Sequence, residues 1–242
     1  VGYMPPVEDL QNPINRFANQ IYSSDGKVLG KWNFNRENRV CVNYNELSPS
    51  LVQALVATED ERFYSHSGID FIALTRAIVK RGLLGQTHAG GGSTITQQLA
   101  NQLYSDAASS TLERLLQKPI EWVIAIKLER NYTKEEIIAL YLYYFDFLHN
   151  AVGIKTAANT YFKKEPRQLT VCESATLVGL CKNPSLFNPV RYPERCRSRR
   201  NVVLGQMLKA GYLTEAEYNT YCNEPLTLNF HRTDHKEGQA PY

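Results

Sequence analysis

Apolar residues recur at helical spacing through most of this chain, and their phase sets the elements. Leu51, Val52, Leu55 and Val56 mark a helix, with Ser48 placed as N-cap and Pro49 at the first helical position. Residues 69–84 carry Ile69, Phe71, Ile72, Leu74, Ile78, Val79, Leu83 and Leu84 with Arg76, Lys80 and Arg81 between them, which predicts a basic amphipathic helix. From about Leu112 a further stripe runs through Leu115, Leu116, Val123, Ile124 and Leu128, with Pro119 inside it predicting a kink or a true start. Thr133 to Glu136, Thr170 to Glu173 and Thr214 to Glu217 are capping-box starts for three more helices. The period changes to strand character only near the N-terminus, where Ile21-Tyr22 and Val28-Leu29 flank a turn signal at Asp25-Gly26. The pattern predicts a mainly α protein with one short N-terminal hairpin.

Composition narrows the class without assigning chemistry. The 242 residues are 43% hydrophobic and 21% charged, enough for a substantial core. A net charge of +3 is too small to argue for nucleic acid and is compatible with an anionic lipid surface or a phosphate-bearing substrate. No run approaches the ~18 apolar residues of a membrane-spanning helix. The five cysteines, Cys41, Cys172, Cys181, Cys196 and Cys222, show no CxxC spacing and no clustered His partners, which argues against a zinc site, and Cys172 and Cys181 fall in an apolar helical pattern where small buried thiols are the default.

Several local strings suggest chemistry that their context does not support. Ser24-Asp25-Gly26-Lys27 has the SxxK spacing of penicillin-binding transpeptidases, but it falls in a tight turn with no Lys-Thr-Gly after it. Gly85 and Gly90 have Walker A spacing, yet Gly91-Gly92 stand where Lys and Ser/Thr belong. Arg191, Arg195, Arg197, Arg199 and Arg200 form a basic cluster without the interleaved aromatics of an RNA-binding surface, and read as solvated charge or helix-terminal pairing. His231 and His235 lie in a polar tail with weak helical signal, which makes a poor metal site.

The chemistry-bearing stretch is Glu59-Asp60-Glu61-Arg62-Phe63-Tyr64-Ser65-His66-Ser67-Gly68. A helix entered at Pro49 delivers Glu59 and Asp60 at its C-terminal end, where the helix dipole disfavours carboxylates. Further on, glycines lead into Ser93-Thr94-Ile95-Thr96-Gln97-Gln98-Leu99, a polar helix start whose N–H groups and Gln side chains suit anionic oxygens.

Four strings, in order, resemble the signature motifs of the peptidoglycan glycosyltransferases, family 51 of the glycosyltransferases, which form the polymerising domain of class A penicillin-binding proteins. The first is Glu59-Asp60-x-x-Phe63-x-x-His66-x-Gly68 and the second is Gly92-Ser93-Thr94-Ile95-Thr96-Gln97-Gln98-Leu99. The third is Gln117-Lys118-Pro119-Ile120-Glu121, with Gln117 where the family has Arg. The fourth is Lys134-x-x-Ile137-x-x-x-Tyr141-Leu142, followed by Tyr143 where the family has Asn. A further departure is Asn101, at a position where the family usually has a lysine.

The resemblance spans roughly residues 40–210 and implies a lysozyme-like helical fold, with a larger head lobe and a smaller membrane-facing jaw lobe at about residues 69–110. On that reading residues 1–47 are an N-terminal arm, 48–225 the glycosyltransferase domain, and 226–242 a linker towards a transpeptidase domain.

The implied activity is polymerisation of lipid II into β-1,4-linked glycan strands, with inversion at the donor anomeric carbon and release of undecaprenyl pyrophosphate. The resemblance makes Glu59 the catalytic base and Glu121 the second acid. It assigns Ser93, Thr94, Gln97, Gln98, Asn101, Arg114 and Lys118 to the substrate pyrophosphate, with Asp60, Phe63, His66, Gly68, Lys134 and Tyr141 in support. No cofactor is required by it, although a divalent cation such as Mg is conceivable near Glu121. Implied partners are lipid II, the growing lipid-linked glycan and, through residues 69–84, a membrane surface; nucleic acid is not among them. The implied location is the outer face of the bacterial cytoplasmic membrane, with an anchoring helix upstream of this fragment.

Other readings fit less of the chain. A lysozyme-like glycan hydrolase would use the same two acids but has no need of phosphate-holding groups. A catalytically weakened lipid-glycan-binding domain would suit Asn101 and Tyr143, yet both acids are kept. A Ser–His hydrolase through Ser93 and His66 lacks a nucleophile-elbow pattern.

Overall fold

The computed structural model describes residues 18–22, 28–33, 43–82, 92–104 and 111–231. Among these the chain is mainly helical, as the periodicity predicts, with one two-stranded antiparallel hairpin of β1 (Ala18–Tyr22) and β2 (Val28–Asn33). The Asp25-Gly26 turn, the Cys41 thiol, the Walker-spaced glycines at 85–91, His235 and the tail from residue 232 lie outside the described residues. The helices are α1 (Pro49–Glu59), α2 (Phe71–Gly82), α3 (Ile95–Tyr104), α4 (Thr111–Asn131), α5 (Lys134–Tyr144), α6 (Ile154–Phe162), α7 (Val171–Leu180), α8 (Pro193–Lys209) and α9 (Glu215–Asn223).

Two compact units divide the chain, and the division differs from the expected lobe at about 69–110. The first comprises residues 1–37 and 59–144, and the second comprises 38–58 and 145–242. The sequence pattern shows no break at 58–59 because α1 runs unbroken across that point, with Glu59 as its last residue.

In the first unit α3 packs against both α4 and α5. Its core includes Ile95, Leu99, Ile124, Leu128, Ile137, Ile138 and Tyr141, each essentially inaccessible to solvent. α4 continues through Pro119, so the true start expected there does not occur. The ring removes only the hydrogen bond that would reach back one turn, and the remaining ladder of a 21-residue helix carries the element. Thr133 and Glu136 cap α5 reciprocally, at 2.8 and 3.2 Å.

In the second unit α8 packs against both α7 and α9. Ser48 precedes α1, and its carbonyl accepts from Leu51 and Val52, but its hydroxyl does not cap the helix. It bonds Ser50 and donates to the Leu169 carbonyl, while Ser50 meets Ser174 at 3.0 Å, which ties α1 to α7. The capping boxes Thr170–Glu173 and Thr214–Glu217 form as expected.

Arg200 departs from the reading of its cluster as solvated charge. Only 1% exposed, it donates to the carbonyls of Tyr221, Glu224 and Pro225, so it closes the C-terminal end of α9. Arg197 reaches the carbonyls of Cys222 and Asn223 beside it. Helix-terminal pairing is therefore what these two arginines do. Residues 226–231, expected to begin a linker, are held in place, because Asn229 and His231 donate backbone hydrogen bonds to Tyr161 and Thr160. Cys172, Cys181 and Cys196 are buried free thiols, and burial pushes Cys196 up to about 12, which keeps it protonated and inert.

Candidate active site

Every described residue of the four motifs falls in the first unit. Asp60, just past the end of α1, is buried and accepts from the Ile95 backbone N–H at 3.0 Å. It thus sits at the positive end of the α3 dipole, which offsets the unfavourable end of α1. His66 Nε2 lies 2.8 Å from the same Asp60 oxygen, and the Gly68 N–H donates to His66 Nδ1 at 3.1 Å. Since Nδ1 accepts, the proton stands on Nε2 and is donated to Asp60.

Gly68 is required where it stands. Its φ is +103°, and a Cβ there would lie 2.9 Å from the Ala125 carbonyl carbon and oxygen. Its own carbonyl accepts from the Thr94 hydroxyl at 2.7 Å. Asp60, His66, Gly68 and Thr94 therefore form one hydrogen-bonded frame joining the first two motifs.

The frame also redefines part of the expected anion site. The backbone N–H of Thr94 is taken by Gln97 Oε1 at 2.8 Å, and Gln97 N–H is taken by the Thr94 hydroxyl at 3.1 Å. Thr94 and Gln97 are buried and cap α3, which gives both a structural role at this helix start. Ser93 is partly exposed at the same helix start.

Glu59 is partly exposed, and its Oε2 accepts from the Gln98 side-chain amide at 3.1 Å. The opposite end of that amide accepts from the buried Tyr141 hydroxyl at 3.0 Å, which fixes which way Gln98 faces. Tyr141 thereby turns an N–H, rather than a repelling carbonyl, towards the Glu59 carboxylate.

One helical turn further along α3, Asn101 Nδ2 donates to Glu121 Oε1 at 2.6 Å. The other Glu121 oxygen accepts from Lys118 Nζ at 2.7 Å, and the carboxylate is almost wholly buried while Lys118 is largely exposed. Arg114 and Gln117 lie on the same helix, but their side chains are outside the described residues. The donor set around Glu121 does not suit a divalent cation. A lysine ammonium and an amide N–H already occupy the two oxygens, and no group of three or more His, Cys, Asp or Glu converges among the described residues.

Glu129 was not among the expected site residues. Its Oε1 accepts from the Thr96 hydroxyl at 2.7 Å and from Lys134 Nζ at 2.8 Å. Lys134 also donates to the His66 carbonyl at 2.7 Å and lies 4.3 Å above the Phe63 ring. Glu129 thus ties α3, α4 and α5 to the first motif. The available signal was its place with Glu121, Ile124, Ala125 and Leu128 on one face of α4, where two acids bracket an apolar stripe. Tyr143 lies edge-on to Tyr144 with ring centroids 4.8 Å apart, so its aromatic ring serves packing.

What this arrangement offers is one accessible, oriented carboxylate beside a rigid buried frame, and a second carboxylate paired with a solvent-facing ammonium. Residues 25–208 match the family described as Transglycosylase, and the chain belongs to that family.

Its relatives include penicillin-binding protein 1A of Escherichia coli, 38% identical over 94% of this chain and 26% of the relative. Penicillin-binding protein 1A of Aquifex aeolicus is 39% identical over 87% of this chain and 28% of the relative. A crystal structure of penicillin-binding protein 1A from Haemophilus influenzae superposes with a TM-score of 0.48 at 26% identity, covering 87% of this chain and 21% of that one. The chain spans about a quarter of the length of these curated relatives.

Proposed function

We propose that this chain is a peptidoglycan polymerase that joins lipid II units into β-1,4-linked glycan with inversion at the donor carbon. The reading rests on membership of the transglycosylase family and, above all, on the oriented Glu59 carboxylate. A sugar hydroxyl is a poor nucleophile, and a carboxylate that takes its proton in the transition state contributes typically ~10²–10⁴-fold. Glu59 is the base: it is partly exposed at the end of α1, and the Gln98 side-chain amide donates to one of its oxygens and orients the carboxylate.

The leaving group is a lipid pyrophosphate, undecaprenyl pyrophosphate in this reading, whose growing negative charge needs a fixed cation. Lys118, carried outward on α4 and steadied by Glu121, supplies it, with Asn101 beside Glu121 as a neutral donor and Ser93 as another at the start of α3. Inversion follows from a single displacement with the base and the pyrophosphate on opposite faces of the donor sugar.

The substrate's lipid chain calls for a membrane surface. No described helix is long and apolar enough to cross a membrane. α2 instead exposes Phe71, Ile72, Ile78 and Val79, with Phe71 65% and Ile78 62% accessible. The Asp70 carboxylate caps the first turn of that helix, accepting from Ile72 and Ala73 at 3.0 Å. α2 therefore rests its apolar side in the outer face of the bacterial cytoplasmic membrane. In the whole protein the chain works beside a transpeptidase domain.

Incubating the protein with lipid II and resolving the products by gel electrophoresis tests the reading. Long glycan strands with released lipid pyrophosphate support it. Free muropeptides or short hydrolysed fragments would make the chain a hydrolase.

A further inference from the structure

The second unit carries a groove of about 520 Å³ that the glycosyl-transfer reading does not use. One wall is α8, where Arg195, Ser198, Arg199 and Val202 fall at i, i+3, i+4 and i+7 on one face. The other wall is the connection after α7, contributing Lys182 and Phe187. Small Ser198 stands between the two arginines, and Phe187 lies beneath the Arg199 guanidinium at 5.8 Å. Val202 on the groove is 48% exposed, and Leu186 and Val190 on the same connection are exposed as well.

That connection is built rather than loose. Asn183 Oδ1 accepts from Leu186 N–H at 3.0 Å, and Asn188 Oδ1 accepts from both Val190 and Arg191 N–H at 3.0 Å. Two successive side-chain-to-backbone turns fix the loop that presents Phe187, so an occupant meets a pre-formed surface and little ordering entropy is lost on binding.

Its charge is lopsided. Lys182, Arg195 and Arg199 surround an apolar floor, against a single acid, Glu194. We propose that this groove docks an acidic amphipathic segment of a partner protein, which places a few aliphatic side chains over Phe187 and Val202 and its carboxylates against Lys182 and Arg195. A helix lying along α8 supplies both kinds of group at the spacing the groove presents. A flat anionic bilayer meets the cationic rim equally well, but the apolar and basic side chains of this shallow groove follow the helical spacing of α8, which a helical segment matches and a headgroup plane does not. Charge complementarity sets the on-rate and the choice of partner, and the apolar floor sets the residence time.

The test is fluorescence polarisation with a labelled amphipathic helical peptide bearing Leu on one face and Glu on the other, against a twin with Lys in place of Glu. Wild type binds the acidic peptide, and the basic twin binds at least about tenfold more weakly. Val202→Asp and Arg195→Glu, both exposed positions outside the glycosyl-transfer site, each weaken the acidic peptide about tenfold or more without changing the thermal midpoint or polymerisation. Absence of saturable binding by wild type, equal binding of the two peptides, or binding untouched by both substitutions would each overturn the proposal. A parallel arm uses phosphatidylglycerol vesicles: vesicle binding lost in both variants, with acidic-peptide binding intact, would assign the groove to a lipid surface instead.

Discussion

Gln98 and Asn101 stand three residues apart on α3, and each donates its side-chain amide to a different glutamate, Gln98 to Glu59 at 3.1 Å and Asn101 to Glu121 at 2.6 Å. Residues at this spacing share a helix face, so one turn of α3 sets the relation between the two acids. The proposed base and the proposed pyrophosphate-side acid are therefore positioned by a single rigid element whose apolar side is locked into the core.

Tyr141→Phe tests how Glu59 is held. The change removes only the hydroxyl that fixes the Gln98 amide, leaving its acceptor free to turn towards Glu59. A hydrogen bond of about 1–1.5 kcal/mol corresponds to a loss of roughly fivefold to tenfold in kcat, with KM little altered. Steady-state kinetics with lipid II measures the split; an unchanged kcat would show that Gln98 keeps its orientation without Tyr141.

Lys118→Met tests the cation. Lys118 is the described ammonium on the Glu121 carboxylate, and a charge-assisted hydrogen bond to phosphate is worth about 1.5–3 kcal/mol, or roughly 10–150-fold. Activity should fall within that range, and the loss should be larger at low ionic strength because Lys118 is largely exposed. Asn101→Lys in the same background restores a cation within reach of Glu121 and should recover part of the loss. In the parent, Asn101→Lys alone should raise activity less, since Lys118 already serves.

Gly68→Ala should unfold the frame of the site. The added methyl meets the Ala125 backbone at 2.9 Å, and the +103° φ strains any side chain, so a loss of at least about 2 kcal/mol is expected in thermal or urea melts. A midpoint within error of the parent would mean that the Gly68 loop and α4 separate freely.

Paired Phe71→Ser and Ile78→Ser substitutions should weaken binding to anionic vesicles far more than they lower the melting temperature, because both side chains already face solvent. Equal losses in sedimentation and melting would return α2 to the core.

Much of this was legible in the sequence because it is local. The caps Thr133–Glu136, Thr170–Glu173 and Thr214–Glu217 act within four residues, and the apolar stripe of α1 is read directly from its period. The motifs located Glu59, Gln98 and Glu121. What sequence did not reveal depends on partners far along the chain. Gln97 and Thr94 looked like free anion donors until the fold turned them into the cap of α3. Glu129 gained its role from Thr96 and Lys134, and Lys134 in turn from His66, 68 residues away. Arg200 looked like one of several surface arginines, and only the return of the chain at 221–225 buries it against backbone carbonyls.

The most direct test of the account is Glu59→Gln assayed with lipid II for both turnover and substrate binding. The amide keeps the shape of the side chain and removes its basicity, so polymerisation should fall by about 10²-fold or more while lipid II affinity stays within a few-fold of the parent. Turnover within tenfold of the parent, or a loss carried entirely by binding, would contradict the assignment of Glu59 as the base.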